Sequence, residues 1–313
     1  MYNPNPAHSY PLDALLRLAP PPPPADFAEF WQPRYTRTLQ VQPRPRLSYN
    51  SSQQDFEIYD LNYRSSGDFE IGGWALIPRH APVTRALVVG HGYGGRDAPD
   101  LHLPVPGAAL LFPCFRGLSR SRQVSISDNP QYHVLHDLDK KDRYILGACV
   151  EDLWLAVSVL LLLFPATRGH IGYLGTSFGG GIGALALPWD TRIARAHLNV
   201  PSFGHQPIRL QLPTWGSASA VQRFHRAHPE LHVLETLAYY DAANAAHYIR
   251  QPLHIAAALA DPMVTPPGQF AIYNSLSSKK HLFILEQGHS DYPNRAAQEQ
   301  ALLSELKEFF AGL

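Results

Sequence analysis

The chain has 313 residues, 45% of them hydrophobic, and its 26 Lys and Arg balance 26 Asp and Glu. That length suits one α/β domain around a large core, and a formal charge of zero without a long basic run leaves neither nucleic acid nor an anionic membrane an electrostatic footprint. Two cysteines, Cys114 and Cys149, lack CxxC or Cys/His spacing, which excludes a disulfide framework and reads as buried thiols in a reducing compartment.

The opening Met1-Tyr2-Asn3-Pro4-Asn5-Pro6 has no basic stretch followed by an apolar one, so a cytoplasmic protein without a signal peptide is expected. Residues 1–50 are proline-rich, and the run from Pro20 to Pro24 favours an extended conformation. Phe27, Phe30, Trp31 and Tyr35 follow at near-helical spacing, which predicts an N-terminal arm packed on the main body. The stretches Phe56 to Tyr63 and Ile71 to Ile77 read as an antiparallel pair at a sheet edge. Ala86 to Val89, ending in Gly90, suits a buried central strand, and Ala108 to Phe112 repeats the pattern.

Helical periodicity runs from about residue 141 to Phe164, where Pro165 stops it. Its apolar run from Leu153 to Phe164 is too short to span a bilayer. Strands are then expected at His170 to Leu174, Ala194 to Val200, Leu253 to Leu259 and His281 to Leu285, with a closing helix from Gln298 to Phe310. Strands alternating with helices imply a mostly parallel sheet covered on both faces. Residues 202–250 separate two strands and contain helical stretches, so they are a candidate lid inserted over a site.

The chemistry begins at Gly175-Thr176-Ser177-Phe178-Gly179, a G-x-S-x-G pattern extended by Gly180 and Gly181. A serine lifted above a sheet needs a tight strand-to-helix turn, and flanking glycines permit the close approach. The apolar strand before it and the helix-competent segment after it favour this reading over a glycine-rich turn with an incidental serine. Serine needs a base. After the last strand stands Glu286-Gln287-Gly288-His289-Ser290-Asp291, where His289 can reach over the sheet edge. The preceding strand is followed by Ala260-Asp261-Pro262, which puts Asp261 at the same edge to orient the imidazole. The order Ser177, Asp261, His289 is the one used on hydrolase sheets of this kind. Asp291, two residues from His289, is the rival acid.

His91-Gly92-Tyr93-Gly94-Gly95 follows the central strand and is similar to the loop that gives a backbone N–H to an oxyanion; the second donor is the N–H of Phe178. The loop lacks the Lys-Ser/Thr of a phosphate loop. Of sixteen histidines most are scattered; His228 and His232 are spaced to share a helix face, but Pro229 intervenes and no HExxH occurs, so no metal is expected. Tyr93 beside the oxyanion donor, with Pro201 and Phe203 after the strand next to the serine, is expected to wall the substrate pocket.

These pieces resemble one family: the acetyl xylan esterase and cephalosporin-C deacetylase group, carbohydrate esterase family seven, on the α/β-hydrolase fold. The similarity runs through Pro11-Leu12-Asp13, Asp26-Phe27-Ala28-Glu29-Phe30-Trp31, Gly73-Trp74, the His91 loop and Arg116-Gly117. It continues in Thr236 to Asp241, Ala242-Ala243-Asn244, Asp261 to Pro267, Ala271 to Asn274 and Gly288-His289. The resemblance implies a mostly parallel central sheet flanked by helices, with an N-terminal arm and a helical insertion over the site. It implies deacetylation of small acetylated sugars or related acetyl esters, no cofactor, and a homo-oligomer, a ring-like hexamer whose sites face an inner cavity. It gives Ser177, Asp261 and His289 the triad roles and the backbone N–H groups of Tyr93 and Phe178 the oxyanion roles. Two positions depart from the family pattern: Phe178 replaces the usual glutamine, and Cys114 to Ser119 replaces Asp-x-Arg-Gly-Gln-Gly. The alternatives are a carboxylesterase of different acyl preference and a non-catalytic binding protein on the same fold.

Overall fold

A computed structural model describes residues 6–313. The arm forms α1 (Leu12–Arg17) and α2 (Phe27–Thr38), joined by the proline run without a helix or strand. It packs on the body as its aromatic spacing predicts. Phe27 and Trp31 are fully buried, Phe27 stacks on Tyr239 and Tyr248, and Trp31 Nε1 donates to Tyr239 O at 3.0 Å. At the arm's start, Pro6 O accepts the backbone N–H of Asp261 at 2.7 Å.

The first strands are β1 (Arg46–Gln53), β2 (Phe56–Arg64) and β3 (Glu70–Pro78), followed by β4 (Ala86–Gly90) and β5 (Ala109–Pro113). Two helices, α3 (Pro130–His133) and α4 (Ile145–Leu163), lead to β6 (Ile171–Thr176), α5 (Phe178–Ala186) and β7 (Ile193–Asn199). Then come α6 (Gln206–Arg209), α7 (Gly216–Ala227), α8 (Val233–Tyr239) and α9 (Ala242–Ala246). The chain ends with β8 (Leu253–Ala260), α10 (Pro266–Ser275), β9 (Lys280–Gln287) and α11 (Arg295–Phe310).

Among the described residues, nine strands join one sheet in the order β1-β2-β3-β5-β4-β6-β7-β8-β9. Pairing is antiparallel from β1 to β5 and parallel from there to β9. The expected pair β2 and β3 is antiparallel, but the sheet edge is β1, which the sequence reading left out of the sheet. Its residues Arg46-Leu47-Ser48-Tyr49-Asn50-Ser51-Ser52-Gln53 are mostly exposed, so no apolar alternation marks them; a polar edge also discourages pairing with another chain.

The helix α4 corrects a second expectation. By length and composition it is apolar enough to cross a membrane, because Ile145 to Val150 extend the run that starts at Leu153. It is a core helix here: Val150, Leu153, Trp154 and Val157 are fully buried, and it packs against α2, α5, β4 and β5. The segment 202–250 is also only partly a cover. α9 is wholly buried against α5 and α10, whereas α7 lies on α3, and the turn between α6 and α7 reaches the cleft described next.

Candidate active site

The parallel register brings the C-terminal ends of β4, β6, β8 and β9 to one edge, and the chemistry gathers there. β6 ends at Thr176, and Ser177 turns the chain into α5 with φ 54° and ψ −109°. A non-glycine residue held at positive φ is strained, and such strain persists where the surroundings enforce it. The enforcement is visible. Ser177 N–H donates to Asn199 O at 2.8 Å and Gly179 N–H donates to His91 O at 2.9 Å. A Cβ on Gly175 would lie 2.5 Å from Gly179 O, and one on Gly179 would lie 2.7 Å from Gly90 C. The start of α5, the end of β6 and the chain at Gly90 therefore touch backbone to backbone, which only glycine allows.

His289 follows β9 and places Nε2 2.9 Å from Ser177 Oγ and Nδ1 2.8 Å from Asp261 Oδ2. Asp261 is fully buried at the end of β8. Its Oδ1 accepts the N–H groups of Met263 and Val264 at 2.8 and 2.9 Å, and its Oδ2 also accepts from Gln269 Nε2 at 3.1 Å. With every other partner a donor, the carboxylate takes Nδ1–H and leaves the Nε2 lone pair toward the serine. Asp291 is not part of the group: its side chain is 94% exposed and pairs with Arg295 at 2.5 Å.

A cleft of about 470 Å³ opens over Ser177 and His289, with Tyr93, Arg209, Trp215 and Met263 among its walls. Tyr93 is where the sequence placed it. Pro201 and Phe203 are not: neither lines the cleft. After β7 the chain passes beneath the start of α5, where Ser202 N–H donates to Ser177 O at 3.0 Å. Pro201 is thereby packed against Gly180, and the buried Phe203 against Gly181 and Phe178. The adjacent Ser202 reaches the cleft instead. The Phe178 ring also points away from it, fully buried among His91, Tyr93, Phe115, His133 and Phe203. The replacement of the family's glutamine therefore alters the support behind the site and leaves the cleft wall untouched. Among the described residues, the backbone N–H groups of Tyr93 and Phe178 have no protein acceptor, and the two rings lie 4.1 Å apart.

Sequence reasoning missed the groups that hold this loop. Tyr93 Oη is 3.0 Å from His133 Nδ1, and His133 Nε2 is 2.9 Å from Arg116 O. A carbonyl accepts only, so Nε2 carries the proton and Nδ1 accepts the tyrosine hydroxyl. Arg116 is itself pinned by Asp152 through Nη2 at 2.6 Å and Nε at 3.1 Å. His91 Nε2 accepts the Phe115 N–H at 3.0 Å. Burial pulls both His91 and His133 down to about 4, which keeps them neutral. The only hint in the sequence was Arg116-Gly117; His133 is one of sixteen histidines with nothing local to single it out. His228 and His232 do not share a helix, since α7 ends at Ala227. Among the described residues no group of three or more His, Cys, Asp or Glu is placed to hold a metal.

A serine on a strand-to-helix elbow, with a histidine and a buried aspartate from loops after later strands of the same sheet, defines an α/β-hydrolase. The acetyl xylan esterase family model matches residues 8–306, and the chain belongs to that family of carboxylic ester hydrolases. Among solved structures it is similar to acetyl xylan esterase 1 from a Thermoanaerobacterium species, at 22% identity and a TM-score of 0.83 over 95% of this chain and 99% of the other. An acetyl xylan esterase from a Paenibacillus species aligns at 23% identity and a TM-score of 0.81, with the same coverage. The acylaminoacyl peptidase of Pyrococcus horikoshii shares the fold more distantly, at 15% identity and a TM-score of 0.62, and is matched over only 42% of its length.

Proposed function

We propose that this acetyl esterase works through Ser177 as nucleophile, His289 as general base and Asp261 as the acid that orients it, on acetyl esters of small sugars. The observation that carries the reading is the continuous run from Ser177 Oγ through His289 to Asp261, at 2.9 and 2.8 Å. Ser177 Oγ attacks the acetyl carbonyl carbon while His289 Nε2 takes its proton. The bond to the alcohol oxygen breaks as His289 returns the proton to it. Water then attacks the acyl-enzyme with the same base, releasing acetate and restoring the serine. The N–H groups of Tyr93 and Phe178 are the donors for the oxyanion formed in each half. The same reading makes the enzyme cytoplasmic, with Cys114 and Cys149 as free buried thiols, and a homo-oligomer, with a hexamer suggested by the family resemblance.

Two measurements test it. Ser177→Ala should lower kcat by about 10⁶-fold with the fold retained. Across p-nitrophenyl esters from acetate to octanoate, kcat/KM should be highest for acetate. A maximum at butyrate or beyond would replace the acetyl preference with that of a broader carboxylesterase.

A further inference from the structure

The cleft contains a charge that a neutral acetate does not use. Three arginines are buried among the described residues: Arg34, Arg116 and Arg209. Arg34 pairs with Glu151 and Arg116 with Asp152. Arg209, only 7% exposed, has no carboxylate within ion-pair distance among the described residues. The carboxylate whose field reaches it, Asp241, has its oxygens occupied by the N–H groups of His205, Gln206 and Ala243. Among the described residues one acceptor meets the guanidinium, Gln206 Oε1 at 3.1 Å from Nη1, and the guanidinium lies over Phe203 at 5.4 Å. A guanidinium has five N–H donors in a fixed fork. Burying one without a counter-charge carries a large desolvation cost, which an anion in the cleft would offset.

The arginine is also held in place. Gln222 Nε2 donates to Arg209 O and Leu212 O, both at 2.7 Å, while Gln206 Nε2 is tied to Phe203 O at 3.3 Å. Arg209 shares the cleft with Ser177 and His289, and among the described residues no acidic side chain lines that cleft. Its other polar walls, Asn129, Gln131, Ser202 and Ser217, suit hydroxyl groups.

We propose that Arg209 is a specificity residue that receives a carboxylate on the alcohol part of the ester, so that the preferred substrates are acetyl esters of acidic sugars. The proposal rests on the acetyl-esterase reading above. In an acetyl ester the acyl part is a methyl and has no room for a charge, so the anion belongs to the alcohol. A carboxylate matches the planar fork in two-point contact, which fixes the sugar as well as attracting it. Recognition of this kind acts mainly on binding and therefore on KM.

The test compares an acetylated glucuronic acid with the equally acetylated glucose, following acetate release. Wild type should favour the uronate in kcat/KM by about tenfold or more, chiefly through KM. Arg209→Gln should bring the ratio of the two substrates to about one. The ratio is unaffected by how much of the variant is folded, because both substrates see the same active fraction. An arm without any variant is competition: free glucuronate should inhibit wild-type p-nitrophenyl acetate hydrolysis at concentrations where glucose does not. Hydrolysis of both sugar acetates without preference, or an unchanged ratio in Arg209→Gln, overturns the role of Arg209 and leaves the esterase reading standing. Failure to hydrolyse either sugar acetate or p-nitrophenyl acetate overturns the reading itself, and the role with it.

Discussion

A side chain at residue 288 would run into Asp261 Oδ2, so the glycine there is a condition for the aspartate and the following His289 to meet. His289 itself sits at φ 49°. Single contacts of this kind decide the chemistry. Asp261→Asn should cost on the order of 10⁴-fold in kcat, because an amide no longer enforces the Nδ1–H tautomer. Asp291→Asn, on an exposed carboxylate facing Arg295, should change kcat by less than about twofold. Steady-state kinetics on p-nitrophenyl acetate checks both, and the reverse order would move the acid to Asp291. The meeting of Ser177, Asp261 and His289 was legible in the sequence because each stands just after a strand that ends at the same sheet edge. Gln269, His133 and Arg209 were not, because what defines them is what they touch across the fold. Pro201 and Phe203 were misplaced for the same reason: sequence shows that they follow β7, but not on which side of the elbow the chain then passes.

Among the elements, the loop after β5 and the helix α4 are joined by a buried network through Arg116, the arginine that the altered stretch Cys114 to Ser119 retains. Asp152 accepts Arg116 N–H at 3.0 Å, its guanidinium, and the Ser65 hydroxyl at 2.5 Å. Arg116 O in turn fixes His133 and so Tyr93. Asp152→Asn leaves a guanidinium buried without its counter-charge and should cost about 3–5 kcal/mol. The denaturant midpoint would report it, and a loss under about 1 kcal/mol would show the network to be dispensable. Apolar elements were readable from pattern, including all strands from β4 to β9. β1 was not, since a polar edge strand has no face to hide. The extent of α4 was read from its periodicity, but its apolar run was read short because Glu151 and Asp152 break it, and both are paired across the fold with Arg34 and Arg116.

Across the whole molecule, several histidines are held neutral by burial. His91 and His133 are pulled down to about 4, and His197 and His254 are lowered as well, by desolvation first. His197 Nδ1 lies 3.1 Å from His254 Nδ1 across β7 and β8, so one ring must donate and the other accept. An unfolded histidine titrates near 6.5, so below that pH the unfolded chain binds more protons than the native one. This part of the stability is therefore intact above about pH 6.5 and falls progressively toward pH 4. Thermal unfolding from pH 8 to pH 4 should show Tm dropping through that window. A level Tm would mean that these rings are protonated without opening the core.

The hydrogen bond from Asp261 to Pro6 ties the aspartate that meets His289 to the segment before α1, while His289 comes from the loop after β9. Segments far apart in sequence, before α1 and after β9, thus meet around Ser177. A molecule in which the loop after β9 is undocked has Ser177 but no His289 beside it. Ester hydrolysis therefore reports docking at both places at once: on refolding from denaturant its recovery should not precede the recovery of far-ultraviolet ellipticity, and activity returning first would show that the reading of the site is wrong.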